Sequence, residues 1–141
     1  MTLYSDIIQS YCTALKANDY QAIISLFSKD AKVFSFFAGE KMAPEFFQSL
    51  FKISRRAKVE LKNLFIGVEN KSIVAAYIYL EVIRDEKFSL QFEAVDIFEF
   101  NAENKITTQR IIMDTYPLRK LLADAETANT KLGLFTQIDK K

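Results

Sequence analysis

FSLQFEAVDIFEF, residues 88–100, is the stretch whose reading decides the fold. Taken every second residue, Phe88, Leu90, Phe92, Ala94, Asp96, Phe98 and Phe100 fall on one face, and Ser89, Gln91, Glu93, Val95, Ile97 and Glu99 on the other. Such alternation predicts a long strand with one strongly apolar face. A single carboxylate, Asp96, sits in the middle of that face. An unpaired carboxylate in apolar surroundings is costly, so Asp96 has to be paired, hydrogen-bonded or protonated. The strand therefore marks where a pocket is expected.

Toward the C-terminus, residues 101–104 are a polar turn and 105–114 a further strand, with Gln109, Ile111, Met113 and Thr115 on one face and Arg110, Ile112 and Asp114 on the other. Asp114 precedes Thr115 and Pro117 and reads as the cap of a last helix, PLRKLLADAE, anchored by Leu118, Leu121 and Leu122. Toward the N-terminus, residues 58–69 and 72–83 read as two strands joined at Asn70-Lys71. Tyr77 and Tyr79 share a face there with Ile73 and Ala75 and are candidates to line the pocket. Residues 3–17 carry Leu3, Tyr4, Ile7, Ile8, Tyr11, Cys12 and Leu15 at helical spacing. Asn18-Asp19 ends that helix, and Asp19 is the N-cap expected for a second, through Phe27. AKVFSFF, residues 31–37, reads as a strand turned by Ala38-Gly39-Glu40; Pro44 opens a third helix to about Arg56. Helices set apart from a run of strands predict an α+β cone: a strongly curved, mostly antiparallel sheet wrapped around three N-terminal helices, with a C-terminal helix. Residues 1–125 are expected to form one domain and 126–141 a tail, whose Leu132, Leu134, Phe135 and Ile138 suggest that it docks.

Composition narrows the chemistry. With 19 basic and 18 acidic residues among 141, no basic excess points to nucleic acid or an acidic membrane. Arg55, Arg56 and Lys58 read as a solvated helix end. The single cysteine, Cys12, excludes a disulfide within the chain and reads as an inert core thiol. No secretory leader or long apolar run is evident, so a cytoplasmic protein is expected. Histidine is absent. That excludes Ser-His-Asp and Cys-His nucleophile systems in their usual form and histidine-ligated zinc or iron. Acid–base work would fall to carboxylates, tyrosines or lysines, and no metal or other cofactor is expected. Thirteen phenylalanines make any cavity strongly apolar and suited to an apolar or aromatic guest. The same side chains would alternatively fill the cone and leave a scaffold.

The element order, with YCTALKANDYQAIISLFSKDAKVF at the front and VDIFEFNAENKITTQRIIMDTYPLR at the back, resembles the nuclear transport factor 2-like superfamily over roughly residues 3–122, and within it the SnoaL-like and ketosteroid-isomerase-like branch. That fold hosts isomerases, cyclases, hydrolases and non-catalytic binders, so it does not name an activity. The resemblance implies an oxyanion-binding tyrosine on the first helix, eight residues before an aspartate, as in Tyr11 and Asp19. It also implies a protonated aspartate on the strand, here Asp96 followed by Phe98 and Phe100. Asp96 and Tyr11 are thus the candidate catalytic pair, and Ser35, Tyr77, Phe92, Phe98 and Met113 the candidate ligand-binding residues. The family's general base, sixteen residues beyond Asp19, falls on Ser35, which cannot take a carbon-bound proton in that way. Asp30 and Glu40 lie nearby in sequence, with no spacing that favours them. The epoxide-hydrolysing branch implies Arg-x-Asp, where this chain has Ala94-Val95-Asp96. Standard steroid isomerisation is not expected. The resemblance further implies a homodimer through the outer face of the sheet.

Overall fold

The computed structural model describes residues 3–36, 38–54 and 56–124. In chain order they form α1 (Leu3–Ala17), α2 (Tyr20–Ile24), β1 (Phe27–Ser35), β2 (Gly39–Met42), α3 (Ala43–Ile53), β3 (Arg56–Ile66), β4 (Ile73–Asp85), β5 (Phe88–Phe100), β6 (Ile106–Met113) and α4 (Tyr116–Asp124). The expected tail contacts lie outside the described residues. No helix among them is long and apolar enough to cross a membrane.

The six strands form one curved, unclosed sheet in the order β2-β1-β6-β5-β4-β3. Every neighbouring pair is antiparallel except β1 with β6. The α+β cone expected from the sequence is therefore the fold adopted. β5 sits between its two hairpin partners, and its burial alternates as the sequence implies: Ala94, Asp96, Phe98 and Phe100 inward, Val95 outward. Ile8, Ile23, Phe47, Val74, Phe98 and Ile106 are completely or almost completely buried between the helices and the sheet. Burying each such side chain contributes about 1.5–3 kcal/mol.

Short-range chemistry sets the helix ends. Asn18 takes a left-handed φ of 53°, which asparagine tolerates, and the Asp19 N–H returns to the Ala14 carbonyl at 3.0 Å. Asn18 Nδ2 also donates to the Ser54 carbonyl at 2.6 Å, tying the end of α1 to the end of α3. The Asp19 carboxylate accepts from the Ala22 N–H at 3.1 Å as the cap of α2. Asp114 accepts from the Tyr116 N–H at 2.9 Å at the start of α4.

Several boundaries differ from the sequence expectation, among them the strand expected over 58–69, which ends at Ile66, and in three cases sheet pairing outweighed local pattern. The second helix stops at Ile24, and Phe27 instead opens β1, bonded in register with Ile106 and buried against Phe47. Gly39 and Glu40, expected in the turn with Ala38, instead open a short strand to Met42 that pairs with β1. The third helix ends at Ile53 rather than Arg56. Arg56 and Lys58 belong to β3, opposite Ile83 and Glu81, so they are not a helix end.

Candidate functional site

The inward face of β5 meets a cavity at its Leu90 end. α1 contributes Tyr11 and Leu15 to its wall, α3 Phe46, Leu50 and Ile53, and β4 Ile78, Leu80 and Val82. β5 adds Leu90, Phe92, Ala94 and Asp96, β6 adds Ile111 and Met113, and Leu118 of α4 closes over it. The cavity volume is about 70 Å³, several times the ~10–15 Å³ that one water needs. The phenylalanines therefore do not fill the cone. Among the described residues, the wall is apolar except where Tyr11 and Asp96 meet it.

Those two side chains are brought together by a third, Gln109. Asp96 lies opposite Ile111 in the β5–β6 register and Gln109 opposite Phe98, so Gln109 is the diagonal neighbour of Asp96 on the inward face. Its Nε2 donates to Tyr11 Oη at 2.8 Å and to Asp96 Oδ2 at 3.0 Å. Gln109 is completely buried, and Tyr11 and Asp96 are each only 3% exposed. The Tyr11 ring is held edge-on by Phe98 (centroids 5.2 Å apart, 72°) and Phe47 (6.2 Å, 73°). Among the described residues, Asp96 Oδ1 and Gln109 Oε1 have no hydrogen-bond partner.

Electrostatics follow from this burial. Asp96 is pushed up to about 7 by desolvation, which outweighs the bond donated by Gln109. Tyr11 is raised well above the usual phenol range, first by burial and then by the Asp96 charge, with Gln109 pulling the other way. Cys12, one residue on, is raised to about 11 by burial and then by Asp96, which leaves it a thiol rather than a nucleophile.

The remaining candidates separate. Phe92 and Met113 line the cavity. Phe98 stands behind the wall and packs Tyr11 from below. Ser35 does not reach the cavity: it is buried at the end of β1, where its Oγ accepts from the Ala38 N–H at 3.1 Å and pins the turn into β2. Tyr77 does not reach it either. The inward residues of β4 are Val74, Ala76 and Ile78, so Tyr77 lies on the outer face, where its hydroxyl donates to Glu93 Oε2 at 2.7 Å. Asp30 is exposed on β1, and Glu40 is exposed in an ion pair with Lys32. Gln109 was absent from the expected site. Its signal was the one that marked Asp96, a polar side chain on an otherwise apolar inward face, but a neutral amide is less conspicuous than a carboxylate.

No family model matches the sequence, and no match appears among curated proteins. Solved structures do match in shape. PrhC from Penicillium brasilianum aligns with a TM-score of 0.75 at 10% identity, covering 94% of each chain. A Shewanella denitrificans protein proposed as a SnoaL-like polyketide cyclase gives 0.71 at 14% identity, covering 88% of this chain and 99% of its own. SalBIII, an epoxide hydrolase/cyclase-like enzyme with a role in pyran ring formation in the polyether salinomycin, gives 0.67 at 22% identity, covering 78% and 89%. The chain thus has the nuclear transport factor 2-like fold.

Proposed function

We propose that the protein binds a small apolar or aromatic molecule in the cone cavity, with Asp96 and Tyr11 meeting one oxygen of the guest. The observation that carries this is an apolar cavity whose polar atoms come from one hydrogen-bonded cluster at its inner end. A guest of that kind loses little by leaving water, and its one polar atom is met by preorganised groups. Two structural neighbours are named for polyketide or polyether chemistry, which supports a largely apolar organic guest. Catalysis is not part of the proposal. The position where the resemblance looks for a carbon-proton base is Ser35, which is spent on a backbone N–H.

Native mass spectrometry on freshly purified protein, set against the denatured spectrum, tests the proposal. A non-covalent adduct of a few hundred daltons on the wild type, lost or weakened in Asp96→Asn, is the expected result. A cavity that takes up neither a co-purified compound nor any member of an apolar aromatic panel overturns it.

A dimerising role has its own supporting observation. Val95 and Ile112 lie opposite each other on the outer face of β5 and β6, 36% and 54% exposed, beside an Arg110 guanidinium that sits 4.0 Å from the centre of the Phe34 ring. We propose a homodimer through this face. A monomeric mass by light scattering at micromolar concentration overturns it. A cytoplasmic location goes with these proposals on sequence grounds.

A further inference from the structure

The cavity is smaller than the guest proposed for it. An apolar cavity of roughly 150 Å³ takes benzene; this one has about 70 Å³. A molecule of a few hundred daltons therefore enters only if part of the wall gives way. A close-packed interior does not stretch uniformly, so the part that yields is the one held by least. Most of the wall is anchored. Strands β4, β5 and β6 are paired with one another along the sheet. Helices α1 and α3 each bury five side chains, and the bond from Asn18 to Ser54 joins their ends. α4 is held differently. Of its described side chains Leu118 is fully buried, Pro117 and Leu121 are half-buried, and the rest are exposed. The polar contacts of its first turn are local. Asp114 accepts from the Tyr116 N–H, the Arg119 N–H returns to the Thr115 carbonyl at 2.8 Å, and Arg119 Nε donates to Thr115 Oγ1 at 3.0 Å. Those bonds hold the helix together but do not fasten it to β5, on which it packs. Its join to β6 is two residues long, Asp114-Thr115, and lies outside any helix or strand.

We propose that α4 is the lid of the cavity: it turns about Asp114-Thr115, withdraws Leu118 from the wall and makes room for the guest. This deepens the binding proposal above and rests on it. Lifting α4 breaks no strand pairing and leaves the Tyr11–Gln109–Asp96 cluster untouched. It exposes few apolar side chains, so it costs a small part of what global unfolding costs. Moving any other element of the wall would break either the sheet or the packing of α1 and α3. Closure over the bound guest restores the Leu118 contact and shuts water out of the apolar wall. Because only the opened form admits the guest, the rate of association scales with the fraction of molecules in which α4 is lifted.

Two measurements on the full chain test the lid: amide hydrogen exchange, and stopped-flow association of naphthalene, a rigid apolar probe larger than benzene. In the free protein the amides of Arg119 to Asp124, corrected for intrinsic rates, are expected to exchange about 100-fold faster than those of Ala94 to Phe98. Equal rates, as from global unfolding alone, overturn the lid. Asp114→Ala removes the α4 cap without touching the wall. It should speed α4 exchange and naphthalene association alike, by about fivefold, the scale of one helix cap. Asp19→Ala removes the cap of α2 and should change neither. Leu118→Ala should speed association more, by about tenfold, because it takes away most of the seat of α4. Association that does not follow α4 exchange across these variants overturns the lid even where naphthalene binds. Should Leu118→Ala fail to fold, the two cap variants decide. If neither naphthalene nor any member of the apolar aromatic panel binds, the binding proposal fails on its own account. Exchange of α4 in the free protein, and its response to Asp114→Ala, then still decide whether the helix opens.

Discussion

The inward face of β5 has two ends that share one alternation and differ in everything else. Toward Phe100 it is solid: Phe98 is completely buried against the Tyr11 ring, and Phe100 stacks on Tyr4 with centroids 4.2 Å apart at 17°. Toward Leu90 the same pattern opens onto a cavity, where Phe92 is only half-buried. Asp96 stands between them. The difference comes from what faces the strand. At the closed end α1 supplies the aromatic rings of Tyr4 and Tyr11; at the open end Leu15, the aliphatics of β4 and Leu118 of α4 surround a space they do not fill. Apolar alternation makes a strand, but the opposing layer decides whether its face becomes core or wall.

Truncation is the strongest way to break this comparison. Phe98→Ala should cost about 3–5 kcal/mol in chemical denaturation, because it removes a close-packed ring and the support of Tyr11. Phe92→Ala only enlarges an existing space and should cost about 1–2 kcal/mol. Equal losses would mean that the two ends are packed alike.

The boundary residue comes next. Asp96 has an ordinary value of 3.8 and is raised to about 7 in the fold. Between those values the unfolded chain releases a proton that the folded chain keeps, so rising pH favours unfolding. The penalty is absent below about pH 4, grows toward pH 7 and is complete above it, with a ceiling of about 4 kcal/mol. Asp96→Asn should therefore raise Tm over wild type at pH 8 and lose most of that advantage at pH 4. A difference independent of pH would show that Asp96 does not titrate between these values.

Two smaller effects sharpen the contrast by leaving both ends alone. Asp19→Ala removes the α2 cap and should cost about 1 kcal/mol with no change in guest affinity. Tyr77→Phe removes an outer-face hydrogen bond to Glu93 and should leave Tm and guest affinity unchanged within error. Loss of binding in Tyr77→Phe would place that side chain at the cavity after all.

Much of the fold was legible because its signals are local. The thirteen-residue alternation of β5, the helical spacing of α1 and the Asp19 and Asp114 caps each depend on neighbours within a few positions. Asp96 could be picked out for the same reason, as a charge on an apolar face. By itself the sequence determined which residues share a face, that no histidine chemistry is on offer, and that a buried carboxylate needed an explanation. Only the tertiary structure decided which face of β4 turns inward and so put Tyr77 outside, where period-two patterning is symmetric about the sheet. It also drew Phe27 from an expected helix into a strand, through a parallel pairing with Ile106. Above all it joined Tyr11, Asp96 and Gln109, because hydrogen-bond partners 98 and 13 positions apart are set by strand register and helix placement rather than by local sequence.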